Sequence, residues 1–573
     1  MSNFFSKTNH LHNKLIGLWK IVPPILAALI FTAAVWIPRR MDLNRAVTAD
    51  EIKWIARSYN FYLALNEREY SATYQAPHPG VSVMWLGAAG LLKEYQPHLG
   101  KLHDIGDEII TETYFRGILN NPLENLVSSR IFLSYAHLIV LLLAFWITIR
   151  LIGLYSALVA FLLIAFDPFH LALTRLLHLD GLLGNLYLLS IIAIISFLYK
   201  RRTYDLLISG AATGLSWLTK SSGLFLIPTV AVLFLLDIRQ NPHQDTSISL
   251  SNRFSKYVWL FAIWLLAAIL VFVVLWPATW VNPINVISKI LSSTSGYTTG
   301  GHETPVFFNG RIIESGDLGL RFFYFYPLTY LWRTTPVVLL GLLAAIWAFF
   351  TNQDLFTKRS VRLTLFGLIV AVVIFVFGMS LGTKKFDRYL IPVYAPLDII
   401  AALGWTAVAM WVKVKLPSAY SKVVSATILV LILGIQMASF SSIFPYNLSY
   451  YNPLLGGSRK APQVMQIGWG EGLDQAAMYL NRKVGVKDLQ VLSWYANGPF
   501  SFFFEGESIK IRGDNSTQDN FQNLRESDYL VIYIHQLQRD LPADLLAYIN
   551  HWEPEHSIWI NNIEYARIYK VPR

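Results

Sequence analysis

Apolar stretches of membrane-crossing length alternate with short polar ones along about three quarters of the chain. They predict helical spans over Leu15–Ile37, Leu126–Ile149, Leu151–Phe166, Leu179–Tyr199, Leu206–Leu218, Leu224–Leu236, Tyr257–Trp276, Leu331–Phe350, Val361–Leu381, Tyr389–Val412 and Val423–Phe440, about eleven in all. The two between Leu206 and Leu236 are short enough for a re-entrant pair, which leaves the parity of later spans unchanged. Beyond Phe440 polar positions become frequent. Strand-like runs (Leu489–Trp494, Tyr529–Ile534, Ala566–Val571) alternate there with helical ones (Gly472–Lys483, Pro542–His551). The expected fold is a polytopic α-helical membrane protein: a transmembrane domain over residues 1–440, then a small C-terminal soluble α/β domain over 441–573.

Basic residues assign the sides. Lys7, Lys14 and Lys20 precede the first span. Arg150, Lys200-Arg201-Arg202, Arg239 with Arg253 and Lys256, Lys358-Arg359 with Arg362, and Lys413, Lys415 and Lys422 fall in loops of the same parity. Lysine and arginine accumulate on the cytoplasmic side of membrane helices. The expectation is therefore a multi-pass cell-membrane protein with its N-terminus in the cytoplasm. Residues 38–125, residues 277–330 and the C-terminal domain are then extracytoplasmic. Ala33-Ala34-Val35 is a poor cleavage site after a long apolar run, so the first span is read as uncleaved.

Composition narrows the function classes. Of 573 residues, 54% are hydrophobic and 14% charged, which excludes an ordinary soluble enzyme. The net charge of +11 invites a nucleic-acid reading, but the cations flank apolar runs and form no basic face interleaved with aromatics. Membrane lipids, and no nucleic acid, are the expected partners. With no cysteine, disulfides and thiolate metal sites are excluded.

Three charged constellations share the predicted outer side. In AVTADEIKW, residues 46–54, Thr48 and Glu51 have the spacing of a helix capping box, which explains Glu51 and leaves Asp50 without a structural role. Thr174-Arg175-Leu176-Leu177-His178-Leu179-Asp180 sets ionisable groups at a membrane edge, where they are costly; an Arg175–Asp180 ion pair is the structural alternative. Lys384-Lys385-Phe386-Asp387-Arg388-Tyr389 breaks the positive-inside pattern. Its cations are either snorkelling side chains or, at a helix N-terminus, a site for an anion at headgroup depth. A lipid phosphate is the natural anion there.

These residues resemble the dolichyl-phosphate-mannose–protein mannosyltransferase superfamily, with its bacterial relatives and the aminoarabinose lipid A transferases, all GT-C glycosyltransferases. Asp50-Glu51 resembles the family's acidic pair in the first external loop, Pro77-His78-Pro79-Gly80 its later His-Pro element, and Arg175 with Asp180 its Arg…Asp pair. Gly214-Leu215-Ser216-Trp217-Leu218-Thr219-Lys220, His302-Glu303-Thr304 and Lys385-Phe386-Asp387-Arg388-Tyr389 are similar to the bacterial branch. Tyr451-Asn452-Pro453-Leu454-Leu455-Gly456-Gly457 and Gly468-Trp469-Gly470-Glu471-Gly472 look like branch-specific sequence with no mechanism attached. The eukaryotic pattern expects HPPLGK where this chain reads HPGVSV, a departure at the segment linked to protein acceptors.

The resemblance implies an inverting, mannosyltransferase-like transfer in the cell envelope, from a polyprenyl-phosphate-linked sugar to a hydroxyl on a protein, lipid or glycan. Asp50 is the expected general base, with Glu51 and Asp180 as further catalytic candidates. Lys384, Lys385, Arg388 and Arg175 are expected on the donor phosphate, and His78, His302 and Tyr389 are substrate-binding candidates. With a carboxylate, either histidine suits a divalent cation; both also read as ordinary polar surface. The competing reading, a transporter or flippase of lipid-linked sugars, predicts ionisable residues near mid-span.

Overall fold

The computed structural model describes residues 23–92, 122–240, 250–299, 305–513 and 517–572. Among these, seven helices are long and apolar enough to cross a membrane, or eight if a bent pair counts as one span, and not the eleven that hydropathy predicts. The helix Leu179–Lys200 is the axis of the bundle, buried along its whole apolar length. Inside a bilayer the backbone has no water to bond, so each apolar run closes its own hydrogen bonds as helix.

The count falls short for local reasons. Leu151–Phe166 was expected as a span, but its helix, Leu154–Phe166, has 13 residues. At about 1.5 Å per residue it reaches roughly 20 Å, against roughly 30 Å of hydrocarbon. It ends because Asp167 leaves helical geometry and accepts the His170 N–H at 2.7 Å, starting a new helix at Pro168. The expected span Leu331–Phe350 is broken in the same way. Thr335 caps Pro336–Phe350, and the preceding Leu320–Arg333 segment lies at 113° to it. Thr203–Thr219 has 17 residues and meets Ser221–Arg239 at Lys220. The expected first span is described from residue 23, as a helix over residues 23–40.

The first long loop carries two helices, Glu51–Asn66 and Val81–Leu91. The second carries the helix Pro283–Thr299 and a hairpin of β1 (Val306–Phe308) and β2 (Arg311–Ile313). The C-terminal domain is built on one five-stranded sheet: β3 (Gln490–Ser493), β4 (Glu507–Lys510), β5 (Tyr529–Tyr533), β6 (His556–Ile560) and β7 (Ile563–Lys570). Its order is β4-β3-β5-β7-β6, with β3 parallel to β4 and β5, and β7 antiparallel to its neighbours. Every residue of β5 is buried, as a central strand covered on both faces requires. The hairpin reaches this domain through a Phe308–Met465 bridge and the Asn309 N–H donated to the Val464 carbonyl at 2.7 Å.

Candidate active site

A cavity of about 1040 Å³ opens where the first loop, the β1–β2 hairpin and the C-terminal domain meet. Asp50 and Arg388 lie on its wall, with Lys385, Trp469, Tyr495 and Arg539. Asp50 is the residue before the helix Glu51–Asn66, and its own carbonyl accepts the Lys53 and Trp54 N–H groups. Its side chain keeps 33% exposure and lines the cavity.

Behind it stands a buried ionic network. Arg388 Nη2 lies 3.4 Å from Asp50 Oδ2, and Arg388 Nε lies 3.6 Å from Asp180 Oδ2. Lys220 Nζ donates to Asp180 Oδ1 at 2.6 Å and sits 3.7 Å from the centre of the Tyr389 ring. His178 joins the two acids, with Nε2 3.5 Å from Asp50 Oδ2, and Nδ1 3.3 Å from Asp180 Oδ2 and 3.4 Å from the Asp180 backbone nitrogen.

Burial alone would raise the Asp50 pKa, but the hydrogen bond from His178 and the charge of Arg388 outweigh it and hold the group below the usual carboxylate range.

Glu51 takes no part in the cavity wall. It is fully buried, bonded to Arg130 at 2.5 Å and to the N–H groups of Thr48 at 2.9 Å and Leu177 at 2.7 Å. The glutamate half of the capping box forms. The threonine half does not, since the Thr48 hydroxyl donates to Glu51 rather than accepting from the helix. The contacts of Glu51 tie Arg130, Thr48 and Leu177 together, and Leu177 directly precedes His178.

Arg175 is not on the cavity wall; its guanidinium donates to the carbonyls of Met41 at 2.5 Å, Asp42 at 3.2 Å and Pro445 at 3.4 Å and stacks on Phe444. The Arg175–Asp180 pair is replaced by Lys220–Asp180. Asp387 pairs with Arg333 at 2.5 Å.

Lys385 lines the cavity, its Nζ donating to the carbonyls of Ser380 and Gly382, and burial lowers its pKa to about 8. Lys384 is not on the wall; its charge acts on His78. Burial, then the charges of Lys220 and Lys384, push the His78 pKa down to about 3, so the ring is neutral near pH 7. His302 lies outside the described residues.

Three residues escaped the sequence reading. His178 was visible only as one member of a polar stretch, Lys220 as the end of a motif, and Trp469 as a motif without mechanism. Lys220 carried a usable signal: a lysine at the joint of two apolar helices is expensive unless an acid meets it.

Between the two acids the carboxylate oxygens face Arg388 and Lys220, so an ion there would sit among fixed positive charges. Among the described residues, no three His, Asp or Glu side chains cluster as metal ligands. Ionisable side chains do lie within the bundle: Asp398 and His137 are buried in helices long and apolar enough to span.

The family described as dolichyl-phosphate-mannose-protein mannosyltransferase matches residues 77–291, a stretch that holds His178, Asp180 and Lys220 and lies between Asp50 and Arg388. Among curated proteins none matches significantly. The chain is similar to ArnT from Cupriavidus metallidurans bound to undecaprenyl phosphate, with 12% identity, TM-score 0.45, and coverage of 95% of this chain and 97% of that one. It is also similar to the Archaeoglobus fulgidus oligosaccharyltransferase tethered with an acceptor peptide, with 10% identity, TM-score 0.46, and coverage of 97% and 74%. The S. cerevisiae protein O-mannosyltransferase Pmt1-Pmt2 complex bound to the sugar donor aligns at 17% identity and TM-score 0.36, over 46% and 34% of the two chains.

Proposed function

We propose that the chain is a membrane glycosyltransferase of the GT-C type. It transfers a sugar from a polyprenyl-phosphate donor to a hydroxyl on a protein, lipid or glycan, at the extracytoplasmic face. Residues 1–440 form the catalytic membrane domain and 441–573 the domain that closes the cavity. The observation that carries this reading is Arg388 held between Asp50 and Asp180 at the cavity wall, an anion receptor beside a base.

The donor phosphate docks against Arg388 and Lys385. Its negative charge competes with Asp50 for the guanidinium and so removes part of the field that keeps Asp50 weakly basic. Donor binding thereby prepares the base. The acceptor hydroxyl then attacks the anomeric carbon, its proton passing to Asp50 within hydrogen-bond reach. The bond to the phosphate oxygen breaks, and polyprenyl phosphate leaves as an anion stabilised by Arg388 and Lys385, a preorganised contribution of about 3 kcal/mol or more. One displacement inverts the anomeric carbon. Asp180 fixes Lys220, His178 and Arg388 in place.

A transporter of lipid-linked sugars is the second reading, favoured by Asp398 and His137 within spans. Purified protein incubated with a polyprenyl-phosphate sugar separates the two. The enzyme releases polyprenyl phosphate when a hydroxyl acceptor is added; donor bound and recovered intact with every acceptor contradicts the proposal.

A further inference from the structure

The loop Gly468-Trp469-Gly470-Glu471-Gly472 belongs to the C-terminal domain, yet it reaches the ionic network itself. Its three glycines have φ of +91°, +136° and +85°, backbone that side-chain-bearing residues rarely adopt. A Cβ on Gly470 would stand 2.3 Å from the Val47 carbonyl oxygen, so the loop lies directly on the backbone leading to Asp50.

Three contacts then converge on Trp469. Its carbonyl accepts the Ala49 N–H at 3.0 Å, next to Asp50. Its ring lies 4.2 Å beneath the Arg388 guanidinium and meets His178 edge-on at 4.8 Å. From behind, the Trp469 N–H donates to Glu471 at 2.6 Å, and the Tyr533 hydroxyl of β5 receives the Gly470 N–H at 3.0 Å. The loop is fastened to the central strand of one domain and to the charged residues of the other.

We infer that this loop is a positioning element of the transfer site: Trp469 holds Arg388 and His178 at the angle that serves Asp50 and the donor phosphate. This rests on the glycosyl-transfer reading above. The negative face of an indole attracts a guanidinium without using its N–H groups, which stay free for carboxylate or phosphate. The C-terminal domain is therefore part of the transfer machinery, and activity depends on its docking.

The test compares full-length Trp469→Ala, Trp469→Phe and, as a control, Trp559→Ala, whose ring is exposed on β6. With a polyprenyl-phosphate sugar as donor, Trp469→Ala is expected to raise the donor KM and lower kcat, at least about tenfold in kcat/KM. Trp469→Phe keeps a ring and recovers most of the loss; Trp559→Ala matches wild type. A merely structural role would lower the thermal midpoint of Trp469→Ala while leaving KM and kcat per folded molecule unchanged, and that result overturns the inference. Polyprenyl phosphate alone provides the arm that separates the two claims. If wild type binds it without ever transferring sugar, the functional reading fails. The narrower part, that Trp469 positions Arg388 for a lipid phosphate, then stands if Trp469→Ala weakens binding as much as Arg388→Ala does, and falls if it binds as wild type does.

Discussion

Asp50 and Arg388 are 338 positions apart in the chain and 3.4 Å apart in space. Between them run most of the spanning helices, so their meeting is a property of the whole bundle. Asp180, on the central helix, touches the same guanidinium and fixes where the pair can sit.

Lys385 gives the reading a pH signature. Burial brings its pKa from 10.5 to about 8, so it is half-charged near pH 8, mostly charged well below that value and neutral well above it. Donor KM is expected to climb above pH 8, and Lys385→Arg to keep it flat into the alkaline range, since arginine stays charged. A wild-type KM that is constant through pH 8 removes Lys385 from the phosphate site.

Lys220 and Asp180 are expected to behave as a buried pair. Lys220→Ala removes the shortest cation contact of Asp180 and leaves its Oδ1 without a donor, while Arg388 stays beside Oδ2, at a cost of about 1–3 kcal/mol. The double variant Lys220→Ala with Asp180→Ala recovers a large part of that stability and none of the activity. Thermal unfolding in detergent reads both effects, and an unchanged midpoint in Lys220→Ala contradicts the ion pair.

For Glu51 the expectation is opposite to a catalytic role. Glu51→Ala leaves Arg130, itself 2% exposed, without its partner, a loss again of about 3–5 kcal/mol. Expression and melting temperature fall, while each folded molecule keeps near-native kcat. A kcat that collapses at unchanged stability would return Glu51 to the catalytic set.

Sidedness can be measured cleanly because the chain has no cysteine. A membrane-impermeant maleimide is expected to label Glu526→Cys on intact cells and Lys358→Cys only after permeabilisation; both positions are exposed. The reverse pattern inverts the topology and removes the outer-face donor.

Much of the fold was legible because hydropathy and period report local burial. Leu179–Lys200 and β5 lie within a residue or so of where the apolar pattern puts them. Two of the expected spans divide at Asp167 and Pro336, where caps end helices inside apolar runs. At the site, parity alone predicted that Asp50, Asp180 and the cluster around Arg388 share a side, and the structure brings these three together. Local rules could not say what Arg175 donates to, because its acceptors come from residues 41, 42 and 445. Trp469 was opaque for the same reason: its role exists only across two domains.

The most direct measurement is donor turnover by Asp50→Asn. The amide is nearly isosteric and cannot take the proton, so the variant is expected to be folded and membrane-inserted and, with its competing charge on Arg388 removed, to bind polyprenyl-phosphate sugar at least as tightly as wild type. Its acceptor-dependent release of polyprenyl phosphate should fall by about 10²–10⁴-fold. Release at the wild-type rate would contradict the account.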